Sequence, residues 1–169
     1  HSSFSTLKPG DLDWDVILEG VNWFHFSAIS PALNENVAMV CLEAVKAAKA
    51  KGITVSVDLN YRAKLWQYGK QPVAIMPQML EYCDVVMGNI WAANSLLGID
   101  ITIEDSKGKT KEALAGAALQ SMELVKAAFP SVKTMAYTFR LDETYFACLQ
   151  HNNAFTVSAE YDIKEVVDK

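Results

Sequence analysis

The alternation of apolar and polar positions changes period several times along the chain, and each change marks a predicted element. Asn22 to Ser30 (NWFHFSAIS) is short and aromatic, and Pro31 excludes helix at Ser30, so this run is predicted to be a strand. From Asn34, an N-cap candidate, the apolar positions Val37, Val40, Cys41, Ala44, Val45 and Ala48 recur at spacings of three and four until Gly52. That is the pattern of an amphipathic helix with a glycine stop. In ITVSVDLN the period falls to two, with Ile53, Val55, Val57 and Leu59 separated by small or polar residues, which predicts a strand running into a polar loop. A second apolar helix is predicted from about Val73 to Tyr82. DVVMGN then reads as a nearly continuous apolar strand of the kind covered on both faces.

Ile90 to Leu97 predicts a short helix closed by Gly98, and Lys111 to Phe129 an alanine-rich one closed by Pro130, with DITIEDSKGKT as a polar surface connection between them. Beyond Pro130 the segments KTMAYTFR, TYFACLQHN and AFTVSAEYD are β-rich and separated by LDE and by Asn152-Asn153, which predicts a strand followed by a hairpin. Strands alternating with helices imply right-handed βαβ crossovers, hence a parallel sheet with antiparallel strands added late. Ligands of such sheets bind outside the carboxyl ends of the strands. Those ends are SAIS, DLNYR, GN and TFR.

Composition narrows the picture without changing it. A chain of 169 residues, 51% apolar and 21% charged, has the size of a single domain with one core, so residues 1–169 are expected to form one α/β domain. No stretch reaches the roughly 18 uncharged apolar residues that a membrane-spanning helix needs. A net charge of −5 without a basic run argues against nucleic acid as a partner. Cys41, Cys83 and Cys148 stand far apart in apolar surroundings, as buried thiols of a cytoplasmic protein would. The opening HSSFSTLKPGD carries neither a basic nor an apolar leader region, and EYDIKEVVDK ends without a helix stop. Both ends are therefore expected to lie inside a longer reading frame.

Candidate chemistry gathers at the strand ends. Asp58, Asn60 and Arg62 alternate around Tyr61; the arginine offers a planar fork of donors for a carboxylate or phosphate, and the asparagine can donate to and accept from hydroxyls. A polyhydroxylated acid satisfies both; the alternative is a plain strand-to-loop turn in which Asp58 and Arg62 pair with each other and Asn60 tolerates a left-handed conformation. Asn89 opens a helix whose N-terminus is a natural anion site, and equally serves as its cap. Thr138 and Arg140 have the chemistry for phosphate oxygens, and the alternative of pairing with Asp142 and Glu143. His25, among Trp23, Phe24 and Phe26, reads as a hydrogen-bonded core or edge residue, and His151 as a turn residue. Neither GxGxxG, GxxxxGK[ST] nor GxSxG occurs, which removes the motif of a dinucleotide oxidoreductase, a P-loop enzyme and a serine hydrolase.

Three segments, WFHFSAISPAL, VSVDLNYRAKLW and CDVVMGNIWAANSLLGI, resemble the ribokinase-like carbohydrate kinases of the PfkB family. The Asp-x-Asn-x-Arg run followed by Leu-Trp is similar to the 2-keto-3-deoxygluconate kinase branch. The resemblance covers nearly the whole chain. It implies a three-layer sheet with helices on both faces, of which this chain is the central part, truncated at both ends. It also implies ATP-dependent phosphorylation of a sugar or sugar acid, with ATP and Mg2+ as cofactors. On it, Asn60 and Arg62 fall on the substrate side, Arg62 towards the acid's carboxylate, while Asn89, Thr138 and Arg140 fall on the nucleotide side.

Two departures accompany the resemblance. The acidic residues that follow the family's matching asparagine are here Ile90, Trp91, Ala92 and Ala93. The family's Gly-x-Gly-Asp anion hole, whose aspartate is the base, would come just after Lys169, so no catalytic residue is assigned and the chain alone is expected to be inactive. The rival expectation is a non-catalytic sugar-binding or interaction module on the same scaffold. Homodimerisation or other self-association is expected from sheet edges exposed by truncation.

Overall fold

The computed structural model describes residues 3–101 and 103–163 of the chain. Their elements run in the order β1 (Trp23–Ser27), α2 (Glu35–Ala50), β2 (Thr54–Asp58), α3 (Pro72–Leu80), β3 (Val85–Gly88), α4 (Ile90–Leu97), α5 (Lys111–Ala128), β4 (Thr134–Arg140), β5 (Thr144–His151), β6 (Ala154–Val157) and β7 (Tyr161–Asp162). A single helical turn, α1 (Trp14–Ile17), precedes β1 and escaped the sequence reading because four residues carry no period. The expected caps hold: Asn34 accepts from the Val37 N–H and opens α2, and Gly98 closes α4 at φ 69°; Thr110, not singled out by the sequence, accepts from the Ala113 N–H and opens α5. AFTVSAEYD is broken into β6 and β7. Between them Ser158 pairs with Ala147 through its backbone N–H and through its hydroxyl, which accepts from the Ala147 N–H.

The sheet is mixed, with spatial order β1-β2-β3-β4-β5-β6 and β7 beside β5. β1 to β4 are parallel, while β5, β6 and β7 are added antiparallel. Because each new parallel strand is laid on the same side of the last, right-handed crossovers send every connecting helix to one face. Burial follows that rule. Val55, Val57 and Leu59 of β2 and its following residue, Val86 of β3, and Met135, Tyr137 and Phe139 of β4 are buried in one cluster with Val45, Met79, Ile90, Leu114 and Met122 of the helices. Each such side chain taken out of water contributes about 1.5–3 kcal/mol.

The opposite face is open among the described residues. It carries Trp23 at 57% exposure, Met87 at 36%, Leu149 at 44% and Tyr161 at 63%. DVVMGN is thus covered on one face only: Val86 is buried, but Met87, one residue on, looks into solvent. The helical layer expected on the second face is not among the described residues, and the sequential strand order is the reason. Residues 164–169, expected to approach a catalytic loop, lie outside the described residues.

One charged group ties the sheet together at its amino rim. Asp84, just before β3, has a side chain only 10% exposed, with Lys49 Nζ of α2 at 2.6 Å and Lys133 Nζ at 3.6 Å. Its Oδ2 accepts from the Val55 N–H, and its backbone bonds both Val55 and the Lys133 and Thr134 N–H groups. Burial by itself would raise the Asp84 carboxyl, but the hydrogen bonds from Lys49 and Val55 and the two ammonium charges outweigh it and hold the group below its usual range. A depressed carboxylate adds stability that is present above the unfolded-state value near 3.8 and is lost as pH falls through the lower folded one. Asp84→Ala should cost about 2 to 3 kcal/mol in urea unfolding at pH 7, since it orphans a buried N–H and a lysine. The gap to the parent should begin to narrow below about pH 4, where the unfolded chain takes up the proton, and close as pH falls through the lower folded value.

Candidate active site

Because β2, β3 and β4 run parallel, their carboxyl ends open on one rim, and a cleft of about 630 Å³ lies there. Asn60, Arg62, Asn89 and Thr138 all line it. The four residues thus meet from three strand ends, although 78 positions separate the first from the last. Arg140 does not line the cleft: it is exposed two residues further along β4, on the same face as Thr138.

Close backbone approach builds the floor. The Leu59 N–H donates to the Met87 carbonyl at 2.7 Å, and the Ala28 N–H to the Asp58 carbonyl at 2.9 Å, so the chain leaving β2 is held on both sides. Gly88 has φ 154°, and a Cβ built on it would lie 2.8 Å from the Leu59 Cβ. Only glycine fits there without moving a backbone-anchored side chain. The next residue, Asn89, caps α4, its Oδ1 accepting from the Ala92 N–H at 2.8 Å, and it still faces the cleft. Cap and cleft lining are therefore one residue's two uses.

Electrostatics separate the walls. Arg62 is exposed and makes no ion pair among the described residues, so the closed Asp58–Arg62 turn does not form. Asp58 is pushed up by burial, against the opposing pull of His25 and then Arg62. His25 is an exposed edge-strand residue with Nδ1 2.8 Å from the Ser56 hydroxyl, which also accepts from the Trp23 indole N–H, so its ring is engaged away from the cleft. His151 ends β5, with Nδ1 2.8 Å from the Thr134 hydroxyl. Burial pushes the Cys41 and Cys83 thiols up to about 12 and Cys148 to about 11, so no cysteine is a ready nucleophile.

Sequence reasoning missed Glu104, Asp105 and Ser106, which line the cleft although their segment reads as a surface connection. Two tethers bring the loop in: the Trp91 indole N–H donates to the Ile103 carbonyl at 3.1 Å, and the Ser106 hydroxyl to the Arg140 carbonyl at 3.4 Å. Loops carry no period, so the available signal was an acidic pair beside a strand-end site.

No protein-family model matches the chain. Among solved structures it superposes on 2-dehydro-3-deoxygluconokinase from Thermotoga maritima with a TM-score of 0.80 and 33% identity, over 96% of this chain and 48% of that one. It has the PfkB carbohydrate-kinase fold. A PfkB family carbohydrate kinase from Listeria grayi agrees, with a TM-score of 0.76 and 25% identity over 99% of this chain and 49% of that one. In sequence, a 65-residue stretch is 37% identical to a 2-dehydro-3-deoxygalactonokinase from Haloferax volcanii, covering 38% of this chain and 20% of that protein. The chain spans about half the length of the solved PfkB relatives.

Magnesium is not matched by these residues alone. Among the described residues no group of three or more His, Cys, Asp or Glu is arranged to hold a metal ion, and Ile90 to Ala93 offer no carboxylate. Gly88→Ala should cost about 1 to 3 kcal/mol in chemical denaturation, because both its φ and its contact with Leu59 oppose a methyl group. An unchanged unfolding midpoint would mean that this rim adapts freely.

Proposed function

We propose that this chain is part of an ATP-dependent kinase that phosphorylates a hydroxyl of a sugar acid of the 2-keto-3-deoxygluconate type. The observation that carries the reading is the single cleft in which Asn60 and Arg62 meet Asn89 and Thr138. In it, Arg62 holds the substrate carboxylate with its two-pronged donor set and Asn60 bonds the hydroxyls. Asn89, Thr138 and, at the outer edge, Arg140 take the nucleotide's phosphate oxygens, and magnesium accompanies the nucleotide. Support comes also from the solved and curated relatives, which are named as kinases of 2-dehydro-3-deoxygluconate and 2-dehydro-3-deoxygalactonate.

Phosphoryl transfer depends on positioning and on donors aimed at spreading negative charge. The base and the anion hole are expected in a Gly-x-Gly-Asp loop after Lys169, so the 169-residue chain by itself is proposed to bind without turning over. A non-catalytic sugar-binding module has one observation in its favour: Ile90 and Ala93 are fully buried, so the helix at the rim contributes packing rather than carboxylates. ATP consumption by the protein carrying this chain separates the two.

In that protein, Arg62→Ala should cost about 2 to 4 kcal/mol in kcat/KM for 2-keto-3-deoxygluconate, mostly as raised KM, with the KM for ATP little changed. An unchanged kcat/KM would remove Arg62 from the site. We also propose that the 169-residue chain self-associates through its open sheet face, where Trp23, Met87 and Leu149 are exposed. Sedimentation should show a concentration-dependent assembly that Leu149→Lys weakens; a monomer at all concentrations would contradict it.

A further inference from the structure

Next to the cleft, and sharing Ser106 with it, is a smaller hollow of about 330 Å³ lined by Ser106, Lys107, Gly108, Lys109, Leu141 and Asp142. The Lys109 N–H closes a turn on the Ser106 carbonyl at 3.2 Å, and Gly108 at φ +65° lets the two lysines stand on either side of it. The turn is fastened to β4 by the Ser106–Arg140 bond. Asp105 is held on the other side of Ser106, its Oδ1 accepting from the Lys107 N–H at 3.0 Å.

Lys107, Lys109 and Arg140 are all exposed, and none makes an ion pair among the described residues. Lys107 and Lys109, the two cations lining the hollow, repel one another and do nothing for the fold, in a chain whose net charge is −5. Asp142, the one carboxylate lining the hollow, leaves the balance positive. Such a concavity concentrates anions.

We infer that the Lys107–Gly108–Lys109 turn is an anion subsite that receives the polyphosphate tail of the nucleotide at the outer end of the cleft. This rests on the kinase reading for the identity of the ligand, but not for the existence of the subsite. Arg140 lines neither the cleft nor the hollow; its carbonyl accepts from the Ser106 hydroxyl that the two share, so β4 fixes the boundary between them. The lysines act as point charges on a mobile stem, suited to phosphate oxygens without fixed geometry.

The test is isothermal titration of the protein and of its Lys107→Ala/Lys109→Ala variant with ATP, AMP, inorganic tripolyphosphate and 6-phosphogluconate. Both lysines are exposed, so the thermal midpoint should be unchanged and serves as the folding control. ATP and tripolyphosphate should bind the variant at least tenfold more weakly and with a shallower salt dependence. AMP should change less than twofold, and Lys107→Arg/Lys109→Arg should restore ATP binding. If the variant binds ATP as the parent does, the subsite is wrong and the kinase reading survives. If the parent binds tripolyphosphate through these lysines but not ATP, the kinase reading fails and the subsite stands. If the parent binds neither, both fail; if only 6-phosphogluconate weakens, the subsite serves the sugar and the inference is overturned.

Discussion

The cleft exists because three short parallel strands deliver their carboxyl ends to one rim, and they do so because their register is fixed at the other. Asp84 sets that start. Its backbone and carboxylate bond β2 through Val55, the entrance of β4 through Lys133 and Thr134, and α2 through Lys49. In a parallel sheet, register is propagated without slack along each strand. With only five, four and seven residues in β2, β3 and β4, a slip of one position at the amino rim would move Asn60, Gly88 or Thr138 out of the cleft and turn alternate side chains to the wrong face. An ion pair whose lysines remain open to solvent is poor evidence for net stability, because water screens much of its attraction. Its contribution here is better understood as specifying which backbone groups pair.

The same topology explains the two faces. A sequential order of parallel strands with right-handed crossovers stacks all helices on one side, and the core forms only there. Ser56 shows how the other side copes. It points to the open face, yet it is fully buried, because Trp23 and His25 of the neighbouring strand lean over it and share its hydroxyl. Further along, Met87, Leu149 and Tyr161 have no such cover.

Periodicity made the helices, their caps and the parallel strands legible, since the core face of each element repeats at 3.6 or 2 residues. It failed where the physics is not periodic. DVVMGN is apolar enough for a strand buried on both faces, and nothing local says that one face has no helical layer among the described residues. AFTVSAEYD has continuous β-forming character, and its break at Ser158 is imposed by pairing with Ala147, a residue on another strand. Within the candidate site, strand ends were readable because the rule that places ligands there is topological. That rule brings Asn60, Arg62, Asn89 and Thr138 together, and it stops short of Arg140, which extends one step beyond the cleft.

The apolar start of α4 and the loop after it are two sides of one arrangement. Ile90 and Ala93 are fully buried, so a carboxyl group at either position would lie in the core without a partner, costly to bury as an ion and of no use to a cation once neutralised. Trp91 instead packs edge-on against Phe139 and reaches across to the Ile103 carbonyl, drawing in the loop that carries Glu104 and Asp105. Carboxylates therefore arrive at this rim from a tethered loop rather than from a helix. Two residues later the same loop turns its charge positive, so acid and base face adjoining hollows with only Ser106 common to both. An anion at this rim is therefore drawn to the lysine side and repelled from the carboxylate side.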